Sequence, residues 1–166
     1  MSLSSDRFTG VNAAVLTPVT DDLIPDDALM LEYSNWLMAN GCDGLAILGT
    51  TGEANCFSLK ERIRIIERLI EGGIPSKSLM PGTGSCALTD AVELTRMAVK
   101  AGCGGVLMLP PFYYKAPSED GLFAAYAEVI ERVGDTALQI YLYNFPQQVG
   151  FELPLSLIAR LVEAYP

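Results

Sequence analysis

The feature of this chain that most constrains its fold is a repeat of short β-rich runs along the whole sequence. The runs begin near Val11, Gly44, Ser78, Gly105 and Leu138, so successive starts lie 33, 34, 27 and 33 residues apart. Each interval contains a segment in which apolar residues recur at helical spacing. Strands and helices that alternate in this way form β–α–β units, whose strands lie side by side in a parallel sheet.

The intervening segments are predicted to be helices, and the second of them carries a clear start signal. Ser58 and Glu61 form an S-x-x-E capping box, and glycines follow the end of that helix. The members of its predicted apolar stripe are Leu59, Ile63, Ile66 and Ile70. The predicted helices span residues 26–40, 58–71, 88–101, 119–133 and 155–163.

The repeat leaves two architectures, a doubly wound open sheet and a closed barrel. A dinucleotide-binding open sheet would carry G-x-G-x-x-G after its first strand, whereas the turn here reads TPVTDDLIP. The prediction is therefore an α/β TIM (β/α)8 barrel of which only about the first five β/α units are present. No linker divides the chain, so residues 1–166 are predicted to be one domain, with residues 1–9 as an N-terminal tail. A barrel needs eight units, so the repeat also predicts that the sequence is incomplete.

Composition excludes several classes of function. The chain has four cysteines without a C-x-x-C pair and no histidine, so we expect buried free thiols, no metal site, no cofactor and no histidine-activated nucleophile. A net charge of −9 argues against nucleic acid as a partner. No apolar stretch approaches the roughly 20 residues of a membrane span, and the N-terminus has no apolar signal core. We therefore expect a cytoplasmic protein without a membrane partner.

The predicted loops after the strands contain the residues with chemical potential, because barrel enzymes build their sites from these loops. In chain order they read TP, GTTGEA, GTGS, PPFYY and YNFP. In the second loop, two glycines flank Thr50 and Thr51, and such a turn can direct backbone N–H groups and hydroxyls at one small anion. Glycine and threonine also fill many turns that have no ligand, so this motif alone leaves both interpretations open.

Taken together, the five loop motifs closely resemble the dihydrodipicolinate synthase / N-acetylneuraminate lyase family of pyruvate-type class I aldolases. The resemblance extends from about Gly10 to the end of the chain, with the motifs in the family's order, and it corresponds to the N-terminal portion of the family's barrel. It implies a Schiff-base lyase or aldolase in which a lysine condenses with pyruvate or another 2-oxo acid. It also implies a homo-oligomer, either a dimer or a tetramer.

The resemblance implies a role for each matching residue. Thr50 and Thr51 would hold the substrate carboxylate, with Thr50 also part of a proton relay. Tyr143 of the Y-N-x-P motif would shuttle protons. Tyr114, or Tyr113 in its place, would complete the relay from a neighbouring subunit, which would put Tyr114 near the subunit interface.

The sequence departs from the family pattern at two places. None of its lysines, which are Lys60, Lys77, Lys100 and Lys115, follows a predicted strand directly, so we expect the catalytic lysine to lie beyond the end of this chain. The position two residues after the Y-N-x-P proline, where dihydrodipicolinate synthases have an arginine, is occupied by Gln148. A glutamine cannot pair with a carboxylate as arginine does. Gln148 is therefore predicted to bind substrate through a hydroxyl group, which favours an aldolase that acts on a sugar acid or another hydroxylated 2-oxo acid over a dihydrodipicolinate synthase.

Three alternatives to this interpretation remain. The first is that the protein is a dihydrodipicolinate synthase proper, which serves lysine biosynthesis. The second is that the chain is a non-catalytic or proteolytic half-barrel, in which case the 166 residues alone are inactive. The weakest alternative is a phosphate-binding barrel that uses residues 82–85, although the usual barrel phosphate site lies in units seven and eight.

Overall fold

The strands of the computed structural model, which describes residues 8–166, are short and parallel. Strand β1 (Asn12–Ala14) pairs with β2 (Gly44–Ala46), and β3 (Val106–Met108) pairs with β4 (Ile140–Leu142). Asn12 lies opposite Gly44, and Val106 lies opposite Ile140. The two strands of each pair are joined by a crossover connection that contains a helix, as the repeat predicts.

A central segment, residues 79–83, joins the two strand pairs into one sheet. On one side the Met80 N–H donates to the Leu45 carbonyl at 2.9 Å. On the other side the Thr83 N–H donates to the Leu107 carbonyl at 3.0 Å, and the Leu107 N–H donates to the Pro81 carbonyl at 3.0 Å. The five segments therefore neighbour one another in chain order, as in a barrel, and without the reversal of order that defines a doubly wound sheet.

The start of this central segment differs from the prediction. We expected a β run from Ser78, but Ser76–Ser78 is a 3-10 helix and the pairing begins at Leu79. Pro75 precedes that turn and Pro81 interrupts the donors of the segment, because proline has no N–H. The segment is consequently held by single bridges rather than by a continuous ladder.

The long helices follow the prediction closely, each ending within one residue of its expected bounds. One element was not predicted, the four-residue helix α5 that starts at the proline of the Y-N-F-P motif, where proline suits the first helical turn. A second 3-10 helix spans Ala54–Cys56. The α-helices are α1 (Asp27–Ala39), α2 (Leu59–Glu71), α3 (Leu88–Lys100), α4 (Glu119–Val133), α5 (Pro146–Val149) and α6 (Leu155–Ala164).

Helix α2 begins at the predicted capping box. The Ser58 N–H donates to Glu61 Oε2 at 2.8 Å, and the Glu61 N–H donates to Ser58 Oγ at 3.4 Å. Hydrogen bonds from the Ser58 side chain and backbone lower the pKa of the Glu61 carboxyl below its usual value. The reciprocal bonds satisfy donors that the first helical turn would otherwise leave free.

The buried face of α2 is rotated relative to the predicted stripe. Of the predicted members only Ile66 is buried, whereas Leu59, Ile63 and Ile70 are partly exposed. The side chains that pack on the sheet are Arg62, Ile65, Ile66 and Leu69. The error arises because Ile63 and Ile70 line a groove between α2 and α3. The helix therefore has apolar residues toward the sheet and toward α3, and the sequence pattern does not separate the two sets.

The core consists of two adjoining clusters. The first lies around Leu45, Ile47 and Leu48 of the second β unit, and the second lies around Val106, Met108 and the helices that follow. Cys103 packs against both, and its burial raises the pKa of the thiol to about 11. Cys56 and Cys86 are exposed, so the expectation of buried thiols is wrong for these two. Within residues 8–166, none of the helices is long and apolar enough to cross a membrane.

We predict that Ser58→Ala lowers the free energy of unfolding by about 1 kcal/mol, because it removes the side chain of the capping box. Urea denaturation followed by circular dichroism measures this change. Lys60→Ala, in the same turn of α2, is the matched control and should stay within about 0.5 kcal/mol of the parent. Equal effects of the two substitutions would contradict a stabilising role for the capping box.

Candidate active site

The threonine turn, residues 49–52, follows β2 and is shaped by unusual backbone angles on both sides. Leu48 has φ +54° and Glu53 has φ +50°, which are left-handed conformations that non-glycine residues adopt infrequently. Thr17 from the first loop donates its hydroxyl to the Gly52 carbonyl at 2.7 Å. A Cβ at Gly52 would lie 2.8 Å from the Val15 carbonyl oxygen, so the close approach of the first loop requires glycine there.

Thr50 and Tyr143 meet at the carboxyl ends of their strands, although 93 residues separate them. The Tyr143 hydroxyl donates to Thr50 Oγ1 at 3.4 Å, which is longer than the roughly 2.5–3.0 Å typical of O–H···O hydrogen bonds. The Tyr143 ring stacks on Phe145, with centroids 5.6 Å apart and planes at 13°. The two side chains that the sequence analysis singled out for proton transfer and carboxylate binding therefore share one end of the sheet.

Thr51, in the turn after β2, and Gln148, in the short helix after β4, also follow strands at this end of the sheet, and both residues are exposed. Gln148 sits in α5, where its backbone N–H donates to the Phe145 carbonyl at 3.0 Å. Asn144 of the same motif has an internal partner, because its Oδ1 accepts the Leu153 N–H at 3.1 Å. Asn144 thus holds the fifth loop in shape, while the Gln148 side chain remains available to a ligand.

Tyr113 and Tyr114 project from the fourth loop into solvent. They are 73% and 82% exposed, and their rings pack edge to face with centroids 5.1 Å apart. Among residues 8–166 no hydrogen bond joins Tyr114 to Thr50 or Tyr143. A single chain therefore brings together two of the three predicted relay residues and leaves the third pointing outward.

Lys115 bridges the fourth and fifth loops. Its Nζ donates to the Phe112 carbonyl at 2.6 Å and to the Val149 carbonyl at 3.2 Å. An ammonium group has three donors, so these bonds occupy two of them. The amine is committed to the backbone of two loops, which does not suit a nucleophile that must lose its proton.

Sequence reasoning missed Arg62, which lies behind the third loop. Its side chain is only 5% exposed, and its Nη2 donates to the Gly82 carbonyl at 2.8 Å and the Gly84 carbonyl at 3.3 Å. Burial lowers the pKa of the guanidinium, and the charge of Asp90 acts in the opposite direction. The available signal was its position three and four residues before Ile65 and Ile66, on the apolar side of α2.

A buried hydroxyl pair supports the same loop. Thr95 of α3 donates to Thr83 Oγ1 at 3.0 Å, and both residues are fully buried. The Thr83 hydroxyl is thereby bound to α3 behind the third loop. In the part of the chain that the structure describes, no three His, Cys, Asp or Glu side chains gather as metal ligands would.

Comparison with known proteins matches residues 7–166 to the dihydrodipicolinate synthetase family. A DapA-like lyase of Chloroflexus aurantiacus is 36% identical over 157 residues, covering 94% of this chain and 52% of that protein. The 4-hydroxy-tetrahydrodipicolinate synthase of Pelobacter propionicus is 36% identical over 161 residues, with the same coverage of 94% and 52%. The chain spans about half the length of the curated relatives that it matches.

Solved structures agree in fold. The dihydrodipicolinate synthase of Agrobacterium tumefaciens superposes with a TM-score of 0.92 at 34% identity, covering 96% of this chain and 55% of that one. YagE of Escherichia coli K12, solved in complex with pyruvate, gives 0.83 at 31% identity, with 95% and 51% covered. The prediction of a partial N-terminal TIM barrel is confirmed, and the chain belongs to the dihydrodipicolinate synthetase family.

Proposed function

We propose that this polypeptide belongs to a Schiff-base-forming lyase or aldolase that acts on pyruvate or another 2-oxo acid together with an aldehyde. The observation that carries the proposal is the contact of the Tyr143 hydroxyl with Thr50 Oγ1 at the carboxyl end of the sheet. A tyrosine and a threonine joined in this way can hold a carboxylate and move a proton beside it. The pyruvate complex of YagE, a relative of similar fold, supports the choice of 2-oxo acid.

The threonine turn suits the carboxylate of a 2-oxo acid. Its hydroxyls and N–H groups are neutral donors. They can bind the carboxylate without a charged side chain beside the reacting amine. The chain carries a net charge of −9, so anion binding must depend on such local donors.

Tyr143 is proposed as the proton carrier. A phenol has a pKa near 10 in water, so it transfers protons effectively only when hydrogen bonds hold it beside the reacting atom. Stacking on Phe145 and the bond to Thr50 together limit the rotation of the Tyr143 ring. The exposure of Tyr114 supports a homo-oligomer in which this residue lies near the interface and reaches the site of another subunit.

The amine that forms the Schiff base is proposed to lie outside residues 1–166. Lys60 and Lys100 are exposed on helices, and Lys77 is exposed in the 3-10 helix before the central segment. Lys115 uses its Nζ to bind two carbonyls. None of the four lysines lies in a buried pocket at the end of a strand, the setting in which a lysine acts as a Schiff-base nucleophile.

Gln148 is proposed to select the aldehyde partner. Its amide can donate to a hydroxyl or carbonyl, whereas a carboxylate would lack the charged partner that an arginine supplies. This favours cleavage or synthesis of hydroxylated 2-oxo acids. The second candidate is 4-hydroxy-tetrahydrodipicolinate synthase itself, favoured because relatives 31–36% identical to this chain carry that name.

We predict that borohydride in the presence of pyruvate leaves the mass of the 166-residue chain unchanged, whereas the full-length protein gains one reduced pyruvate. Intact-mass spectrometry measures both. An adduct on Lys115 in the short chain would contradict the assignment of the amine. A full-length protein that gains no pyruvate would contradict the proposed Schiff-base function.

We predict that Tyr143→Phe lowers kcat of the full-length enzyme by at least about 100-fold, because a positioned proton carrier contributes roughly 10²–10⁴ in rate. Steady-state kinetics with the 2-oxo acid substrate measures this loss. Tyr33→Phe, a tyrosine of α1 stacked on Trp36 away from the strand ends, is the matched control. Comparable activity of the two variants would remove Tyr143 from the mechanism.

We predict that Gln148→Arg raises kcat/KM for aspartate semialdehyde with pyruvate by about one to two orders of magnitude. A charge-assisted bond contributes roughly 1.5–3 kcal/mol, and about 1.4 kcal/mol corresponds to a factor of ten. The parent should prefer 2-keto-3-deoxy sugar acids. Gln147→Arg, the exposed neighbour, controls for added charge. Robust synthase activity of the parent that the arginine does not improve would favour the second candidate function.

A further inference from the structure

Arg62 is an unusual residue for the sheet-facing side of a helix. Arg62 is buried, at 5% exposed, whereas Arg64 on the same helix is half-buried and Arg68 is exposed. Withdrawing a guanidinium from water is costly unless its donors find acceptors. The place of Arg62 is set locally, because its backbone N–H donates to the carbonyl of Ser58, the residue that caps α2.

The acceptors of Arg62 are two carbonyls at the end of the central segment. Nη2 donates to Gly82 at 2.8 Å and to Gly84 at 3.3 Å. Among the described residues no backbone N–H in a turn or bridge donates to either carbonyl. Arg62 therefore replaces the strand pairing where this backbone leaves the sheet. These bonds offset part of the cost of its burial, while its Nε is buried without a hydrogen-bond partner among the described residues.

The backbone that Arg62 binds is wedged between the second and fourth loops. A Cβ at Gly82 would collide with the Leu48 carbonyl oxygen, and one at Gly84 would lie 2.6 Å from the Leu109 carbonyl oxygen. Leu48 is itself in the left-handed conformation, and it immediately precedes the threonine turn. Gly82 therefore packs directly against the backbone that bends into the threonine turn.

We propose that Arg62 is a positioning residue for the carboxylate pocket of the proposed reaction. It contacts no substrate. By holding the Gly82 and Gly84 carbonyls it keeps the backbone at Leu48 bent, and this bend keeps the donors of the threonine turn aimed at one point. The inference rests on the proposed function for its kinetic consequence, whereas its structural consequence, the order of the threonine turn, is measurable without substrate.

The kinetic test compares Arg62→Met and Arg62→Lys with Arg68→Met in the full-length protein. Arg62→Met should raise KM for pyruvate about tenfold while kcat falls less, because carboxylate binding is lost more than chemistry. Arg62→Lys should recover part of that loss, since an ammonium group can still reach a carbonyl. Arg68→Met, an exposed arginine on the same helix, should leave KM unchanged. If Arg62→Met does not fold, Arg62→Lys decides alone: a KM about threefold above the parent supports the proposal, and an unchanged KM overturns it.

Hydrogen exchange supplies the second measurement. Without substrate, amides of residues 50–54 should exchange about tenfold faster in Arg62→Lys than in Arg68→Met. The two variants are compared under conditions in which their melting temperatures are equal. A lower melting temperature with unaltered exchange in this turn and unaltered KM would mean that Arg62 only stabilises the fold, and it would overturn the proposal. If the parent forms no pyruvate adduct, the proposed function fails, and the exchange result still decides whether Arg62 orders the turn.

Discussion

The close approach of Gly82 to the Leu48 carbonyl is the constraint on which the rest of this structure depends. The central segment bonds to β2 on one side and β3 on the other, and among residues 8–166 it joins the two strand pairs by backbone hydrogen bonds. It can come this near only because Gly82 has no side chain. The proximity aligns the strand ends in one arc, so that loops separated by tens of residues open onto the same space.

The candidate site follows from that alignment. Thr50 and Tyr143 belong to segments that are not paired with each other, yet their hydroxyls meet because the strands between them are parallel and in chain order. Four of the loops are held by side chains that donate to backbone carbonyls. Thr17 holds the second loop, Arg62 the third, and Lys115 ties the fourth to the fifth. The hydroxyls of Thr50 and Tyr143 therefore lie on loops whose shape is set by hydrogen bonds from side chains to backbone carbonyls.

The sequence predicted the parts of the fold that depend on local patterns. Helix bounds were correct to within one residue because capping residues and periodic apolar positions act over one or two turns. The buried face of α2 was wrong, since Ile63 and Ile70 face a neighbouring helix rather than the sheet. The start of the central segment was wrong as well, because prolines at positions 75 and 81 replace regular pairing by single bridges.

By itself the sequence determined the order of strands and helices, the loop motifs and the family, because these reside in the identity and spacing of neighbouring residues. The tertiary structure alone decided that Arg62 is buried beneath Gly82 and Gly84, that Lys115 is committed to two carbonyls, and that Tyr114 faces solvent. The charge and type of these residues do not predict whether their side chains are buried, bound to backbone or exposed. Whether an ionisable side chain binds backbone, water or a ligand depends on which groups folding places within about 3 Å of it, and those groups come from distant parts of the chain.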